Sequence, residues 1–241
     1  MRLAIMQPYI FPYIGYFQLI NSVDKFVIYD DVNFIKQGWI NRNNILLNGD
    51  RHLFTIPVEN LTSFKKINEI NLSPGLYEKW LGKFCKTLQA AYKKAPYFEQ
   101  TWPLIMRVLE AGKEETAKRE SSISALCTGG IRLITEYLGI GTLIAGTSSV
   151  YHNDSLSSYE RVLDICKKEK AHIYINAIGG RELYSKELFK AQGIDLFFLQ
   201  PGPISYTQYR HEFVPHLSII DCLMFNSPES MKTHIQNFSL L

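Results

Sequence analysis

The sequence lacks any cluster of cysteines. Its cysteines lie far apart, without a Cys-x-x-Cys pair, at Cys85, Cys127, Cys166 and Cys222. This distribution excludes the common zinc-binding patterns and the disulfide-dense scaffolds of small secreted proteins. We therefore expect four buried free thiols in a protein of a reducing compartment.

The sequence also lacks a long apolar run and a strong excess of charge. Pro8 and Pro12 interrupt the first apolar segment, and no later stretch reaches the roughly 18 apolar residues that cross a bilayer. Neither a signal peptide nor a transmembrane helix is predicted, and we expect a cytoplasmic protein. The 26 Lys and Arg residues against 23 Asp and Glu residues give a net charge of +3, so nucleic-acid binding is not expected.

Familiar catalytic motifs are missing as well. The chain contains no serine-nucleophile elbow and no His-Glu-x-x-His zinc motif. Standard hydrolase and metalloprotease functions are therefore excluded, and no metal site is predicted. What the chain has in quantity is 14 Tyr beside 14 Phe in 241 residues. Tyrosine suits both a core and a binding site that must be apolar and hydrogen-bonding together.

Hydrophobic periodicity predicts an α/β fold. Strands are predicted over residues 3–6, 25–29, 52–58, 67–72, 142–145, 172–176 and 194–199, and helices over 14–20, 76–94, 103–111, 121–138, 158–168, 185–192, 215–225 and 228–238. The first strand, helix and strand form a βαβ unit with a parallel pair. We predict a mostly parallel sheet with flanking helices and a helical insertion at about 76–138, in one domain over residues 1–241.

The loop after the first strand is the first candidate site. It contains the candidate binding residues Gln7, Tyr9, Tyr13, Gly15 and Tyr16. Open parallel sheets place their ligand crevice at such strand ends, and the amides at the start of the next helix could hold an anion. The alternative is a stiff aromatic loop that covers the sheet edge.

A second group of polar residues follows the second strand. Asp30 and Asp31 could act as a base, hold a cation, bind a substrate amine, or simply form an acidic turn. The next segment, 36–43, adds Lys36, Trp39, Asn41 and Arg42 as candidates for a phosphate or sugar site.

Three later segments complete the candidates. Ser148 and Ser149 follow a strand and offer hydroxyls, although Ser/Thr clusters also form ordinary turns. The stretch 176–184 supplies Asn176, Gly179, Gly180 and Tyr184, and its paired glycines let a ligand approach the backbone. Gln208 is a further candidate, whereas His216 is expected to be structural or exposed because no triad or metal spacing surrounds it.

Residues 6–20, 29–31 and 38–42 resemble the WbqC-like protein family, as do 174–184 and 213–221. Members of that family occur in bacterial clusters for O-antigen and other surface polysaccharides. The resemblance implies a role in polysaccharide biosynthesis and suggests transfer of glycine to an amino sugar. It carries over no agreed catalytic residues, so the roles below follow from residue chemistry.

A second resemblance involves the first loop. A strand, a Gln-Pro loop and Gly15-Tyr16 at the start of a helix resemble the HIGH-motif nucleotidylyltransferases, in which a Gly-His pair occupies that place. Ser148 and Ser149 would then match a late phosphate-binding loop. Neither motif histidine is present in this loop, but the resemblance suggests ATP with Mg²⁺ as a cofactor.

Two functions remain as hypotheses. The first is an acyl transferase, glycyl transfer included, that acts on a nucleotide-linked or lipid-linked amino sugar. Its catalytic residues would be Asp30 and Asp31 as bases and Lys36 as a cation for phosphate. The second is a noncatalytic protein that binds a sugar nucleotide or a partner enzyme. The aromatic residues could also cover the interface of a homo-oligomer.

Overall fold

The computed structural model describes residues 1–59, 61–62, 64–116, 122–209 and 212–241. Its central sheet contains β1 (Arg2–Met6), β2 (Lys25–Ile28), β5 (Leu143–Ala145), β6 (Ile173–Ala177), β7 (Asp195–Pro201) and β8 (Phe238–Leu240). The strands lie in the order β5-β2-β1-β6-β7-β8. All neighbours are parallel except β8, which pairs antiparallel with β7. The predicted α/β fold with a mostly parallel sheet is confirmed.

The described helices are α1 (Ile14–Asn21), α2 (Pro74–Tyr92), α3 (Phe98–Thr116), α4 (Ile123–Tyr137), α5 (Ser158–Lys168), α6 (Lys186–Lys190), α7 (Ile219–Phe225) and α8 (Pro228–Gln236). Helices α2, α3 and α4 form the predicted insertion between strand β2 and strand β5. A separate antiparallel hairpin joins β3 (Arg42–Leu47) to β4 (Asp50–Thr55). None of the described helices has the length and apolar character needed to cross a membrane.

The strand order creates a switch point beside β1. From β1 the chain proceeds outward through β2 and β5 on one side, and later through β6 and β7 on the other. In doubly wound sheets of this kind, the loops after the two central strands diverge and leave a crevice at the carboxyl edge. The loop after Met6 and the loop after Ala177 flank this crevice.

The core lies on both faces of the sheet. On one face, Ala4, Phe26 and Ile175 belong to a large buried cluster that includes α1, α7, α8 and the helical insertion. On the other face, Leu3 and Tyr174 pack in a smaller cluster with α5 and α6. Strand alternation places neighbouring residues on opposite faces, so both faces of the central strands are apolar.

Several predicted elements were wrong. Residues 67–72 do not form a strand, because Ile67–Glu69 is a 3₁₀ turn. The amide of Lys66, the residue before this turn, donates to the Glu69 carboxylate at 2.8 Å. The helix predicted to start at Pro103 starts at Phe98 and continues through the proline. The last helix ends at Gln236, and the chain then forms β8.

Two smaller expectations concern the N-terminal cap of α4 and the burial of the cysteines. The sequence predicts Ser121 and Ser122 as N-terminal caps of the helix over 121–138. Ser122 caps α4 by accepting a hydrogen bond from the Ala125 amide at 3.1 Å, while Ser121 lies outside the described residues. All four cysteines are free, but Cys85 is only partly buried, contrary to the expectation of four buried thiols.

Candidate functional site

The largest cavity described lies beside the carboxyl ends of β6 and β7. Its volume is about 720 Å³, and its walls come from the start of α1, the loop after β7 and the segment before α7. Most of the side chains that line it are apolar, including Ile178, Pro201, Ile204 and Phe213. We call it the apolar cavity.

A smaller cavity of about 250 Å³ adjoins the apolar cavity. It is lined by Tyr9, Tyr13, Trp39, Asn43 and His216. Tyr13 and His216 line both cavities, so these two side chains stand at their junction. We call this second space the aromatic cavity.

A third cavity, of about 400 Å³, brings the basic residues of the second candidate group together. Lys36, Asn41 and Arg42 line it. The Arg42 guanidinium lies 5.9 Å from the centre of the Trp39 ring, and the Arg42 Nε donates to the Gly38 carbonyl at 2.8 Å. Arg42 of this basic cavity therefore lies beside Trp39, which lines the aromatic cavity.

The two tyrosines of the aromatic cavity are neutral hydrogen-bonding groups. Burial raises the pKa of both Tyr9 and Tyr13 above the ordinary phenol value. The Tyr13 amide donates to the Tyr9 hydroxyl at 3.3 Å, which fixes the loop before α1. Both phenols remain protonated at neutral pH and can orient a ligand without adding charge.

His216 is held in a strained backbone conformation. Its φ of 60° lies in the left-handed region, which few non-glycine residues occupy unless their surroundings fix them. Backbone hydrogen bonds of 2.9 Å tie the following residues to both walls, from the Ser218 amide to the Asn44 carbonyl and from the Ile219 amide to the Pro12 carbonyl. The exposed His216 ring is thereby held at the junction of the two cavities.

Asp30 is buried in a cluster of hydroxyl donors. Its carboxylate accepts hydrogen bonds from Ser124 Oγ and Thr147 Oγ1, each at 2.7 Å, and from the Ser148 amide at 3.1 Å. Only 3% of the residue is exposed. The carboxylate thus joins α4 and the loop after β5 to the end of β2.

Asp31 forms a buried ion pair on the same loop. The Arg161 guanidinium donates to its carboxylate at 2.5 Å, and Ser148 Oγ donates to the other carboxylate oxygen. Ser149 Oγ accepts from Asn68 Nδ2 at 3.0 Å. Ser148 is therefore bonded to both Asp30 and Asp31, Ser149 is bonded to Asn68 beside them, and none of the four candidates lines any of the three cavities.

The candidates from the segment 176–184 lie partly on the other face of the sheet. Tyr184 packs against Tyr174 and Phe189, with ring centres 6.0 and 5.9 Å apart. The Asn176 side chain lies against Gly180, where an added Cβ would approach Asn176 Nδ2 to 2.4 Å. Gly179 has open space around it, and Ile178 alone of this segment lines the apolar cavity.

The remaining candidates of the first loop support its shape. Tyr16 is buried and its hydroxyl donates to the Gln7 carbonyl at 3.2 Å. A Cβ at Gly15 would meet the Tyr13 ring at 2.3 Å, so this position must be glycine for the ring to lie there. The Tyr13 ring therefore covers the start of α1, where the second resemblance would place ATP. The residues at that place do not fit the cofactor.

Asp221 is a buried carboxylate, whereas the sequence predicts that Ser218 to Asp221 cap and solvate a helix that starts there. It accepts hydrogen bonds from Tyr92 at 3.0 Å, from Tyr206 at 2.7 Å and from Gln208 at 2.6 Å. Burial raises its pKa despite these donors. Gln208, a predicted binding residue, therefore holds a carboxylate behind the cavity wall that Tyr206 and Cys222 form.

The structure adds residues that the sequence did not single out. Asn43 lines the aromatic cavity, and the segment 201–204 lines the apolar cavity. No motif marks either, and the left-handed conformation of His216 has no sequence signal in a histidine. Among the described residues, no group of three or more His, Cys, Asp or Glu side chains is placed to hold a metal ion.

Comparison with known proteins finds a family that this chain matches. Residues 7–233 match the model of the WbqC-like protein family, a stretch that includes every residue named above as lining the three cavities. The chain is similar to the uncharacterized protein Rv1507c of Mycobacterium tuberculosis, with 29% identity over 227 residues that cover 93% of each chain. No solved structure matches the chain.

Proposed function

The chain belongs to the WbqC-like protein family, and from the three adjoining cavities we propose that it transfers an acyl group to the amine of an amino sugar. The sugar would be linked to a nucleotide or a lipid, as in the biosynthesis of bacterial surface polysaccharides. The observation that supports this most is the junction of two cavities at Tyr13 and His216, because a transferase must bring two substrates together.

The aromatic and basic cavities suit the acceptor. Trp39 is 53% exposed and offers a flat apolar face to a sugar ring, while the neutral phenols of Tyr9 and Tyr13 can hydrogen-bond its hydroxyls. Lys36 and Arg42 would bind the phosphate groups attached to the sugar. In this proposal Lys36 binds phosphate and does not take part in the chemical step.

His216 is the group best placed to accept the proton of the reacting amine. The amine nitrogen attacks the acyl carbon, a C–N bond forms, and the bond between that carbon and its carrier breaks. The electron pair of the broken bond leaves with the carrier, and the imidazole of His216 takes the proton lost from nitrogen. Asp30 and Asp31, the bases expected from sequence, would instead hold the loops behind the cleft.

A noncatalytic binding protein is the second candidate. It is supported by the hydrogen bonds of Asp30 and Asp31. Both carboxylates already accept hydrogen bonds from the protein's own hydroxyl and guanidinium groups, so neither is available as a base. In such a protein the same aromatic and basic cavities would hold a sugar nucleotide, and no acyl group would move.

Acceptor binding can be tested with UDP-, GDP- and dTDP-linked amino sugars in a thermal-shift assay. A bound ligand at about a hundred times its Kd should raise the midpoint by about 5–10 °C for a chain of this size. Trp39→Ala should abolish the shift, whereas Leu183→Ala, which changes an exposed residue outside the three cavities, should keep it. A chain that binds none of these sugars, and no lipid-linked amino sugar, would contradict the proposal.

Transfer can be tested by mass spectrometry of the sugar after incubation with acyl thioesters and acyl adenylates. His216→Asn is the informative variant, because asparagine tolerates the left-handed backbone but is a poor proton acceptor. We expect transfer to fall by about 10²–10⁴-fold with acceptor binding retained. Sugar binding without any transfer by the wild-type chain would favour the noncatalytic alternative.

A further inference from the structure

We propose that the apolar cavity binds the acyl group of the donor and that this group is an apolar chain longer than glycyl. This inference rests on the proposed transferase function and names the donor class for the same site. The cavity of about 720 Å³ lies within the range of about 300–1,000 Å³ that is typical of small-molecule sites. A glycyl group would leave most of that space empty.

The lining of the cavity is the first argument. Ile14, Ile178, Pro201, Ile204, Phe213 and Leu217 form much of its wall. None of the described residues that line it is Lys, Arg, Asp or Glu. Such a surface favours an alkyl chain, because each buried methylene group is removed from water and gains contacts with the wall.

The neighbouring polar groups are the second argument, because they do not suit a glycyl ammonium group. Such a cation is bound most strongly by an accessible carboxylate. The carboxylate behind the wall, Asp221, is fully buried and already accepts from Tyr92, Tyr206 and Gln208. The Cys222 thiol, 3.2 Å from the Tyr206 hydroxyl, offers no anion either, since burial raises its pKa to about 12.

The order of the cavities is the third argument, and it indicates that the apolar chain belongs to the donor and not to the acceptor. Arg42 of the basic cavity lies 5.9 Å from the ring of Trp39, which lines the aromatic cavity, and Tyr13 and His216 line both the aromatic and the apolar cavity. In a lipid-linked sugar, the phosphates lie between the sugar and the lipid. The lipid of such an acceptor would therefore extend beyond Lys36 and Arg42, away from the apolar cavity.

The test is a calorimetric titration of the full chain with N-acetylcysteamine thioesters from acetyl to dodecanoyl, and with the glycyl thioester. We expect the Kd to fall about threefold to fourfold for each added methylene until the cavity is filled. Ile204→Trp should weaken octanoyl binding at least tenfold and leave acceptor binding unchanged. Leu183→Trp is the matched control, because Leu183 is 72% exposed and does not line the cavity.

Two results would overturn the inference. One is an affinity that does not change with chain length, and the other is a glycyl thioester that binds as tightly as the octanoyl one. If Ile204→Trp does not fold, Ile178→Trp fills the cavity from another wall and answers the same question. Glycyl transfer without chain-length dependence would refute this inference and leave the proposed function standing. Chain-length dependence without transfer would refute the proposed function, and with it the identity of the bound chain as a donor.

Discussion

At the scale of single residues, the ion pair of Asp31 and Arg161 is a buried contact that should be costly to break. Both side chains are at least nine-tenths buried. Removing one partner of such a pair leaves an uncompensated buried charge. We expect Arg161→Ala to lower the free energy of unfolding by about 3–5 kcal/mol in urea titrations.

An exposed ion pair provides the comparison for that prediction. Lys190 and Asp195 lie 2.7 Å apart, with 73% and 51% of their side chains exposed. Exposed pairs contribute about 0–1 kcal/mol, so Lys190→Ala should change the stability little. If Arg161→Ala and Lys190→Ala lower the free energy of unfolding equally, the prediction for the buried Asp31–Arg161 ion pair is wrong.

Asp221 should make the protein less stable as the pH rises. Because its pKa is raised by burial, the folded chain holds this proton more tightly than the unfolded chain does. Its contribution is complete below the unfolded pKa of about 3.9 and is lost as the pH rises through the higher folded pKa. Asp221→Asn cannot ionise, so its stability should fall less than that of the wild type over this pH window. Urea midpoints measured across the window check this, and parallel curves would contradict it.

The sequence identified side-chain chemistry better than side-chain surroundings. Tyr9, Tyr13 and Trp39 were predicted as binding residues, and the structure places all three around one cavity. The same reasoning could not show that Asp30 is enclosed by hydroxyl donors, because Ser124 and Thr147 are about a hundred residues away in the chain and reach it only through the fold. Local pattern does not reveal such distant partners.

At the scale of elements, two adjacent glycines of α4 give a matched test of its packing. A Cβ at Gly129 would meet open space, whereas one at Gly130 would lie 2.8 Å from Cγ1 of the buried Val108 on α3. Gly129→Ala should stabilise the protein by about 0.5–1 kcal/mol through helix propensity. Gly130→Ala should destabilise it by about 1–3 kcal/mol through overpacking. Thermal or urea unfolding measures both changes in stability. Changes of the same sign in the two variants would contradict the contact between α3 and α4.

The elements with a strong local signal were the ones predicted well. The helix predicted over 158–168 matches α5, whose Ser157 and Glu160 form an N-terminal cap. Hairpin β3–β4 was only partly predicted, because Arg42, Asn43 and Asn44 are poor strand formers that pack against the fold. The Asn48-Gly49 pair, with φ values of 54° and 87°, was the available signal for this hairpin.

At the scale of the whole molecule, we propose that the chain unfolds as one domain. The helical insertion is bonded to the rest of the protein at several places. Thr101 donates to the Leu223 carbonyl at 3.0 Å, and Ser124 donates to Asp30 at 2.7 Å. Both faces of one sheet are also covered by apolar clusters.

A single cooperative transition is the expected outcome of that proposal. Trp80 and Trp102 lie in α2 and α3, so in a Trp39→Phe background tryptophan fluorescence reports on the insertion, while far-ultraviolet circular dichroism reports on all elements. The two signals should change at the same urea concentration. An insertion that lost its fluorescence signal at lower urea would be a separate folding unit.

The shape of the sheet has a consequence for self-association. Both outer strands, β5 and β8, are only three residues long. A short edge offers few unpaired backbone groups, which disfavours the strand-to-strand growth that leads to fibrils. Pairing between copies of this chain through the outer edges of the central sheet is therefore disfavoured, and we expect the central sheet not to seed amyloid-like aggregation even though its two central strands are almost entirely apolar.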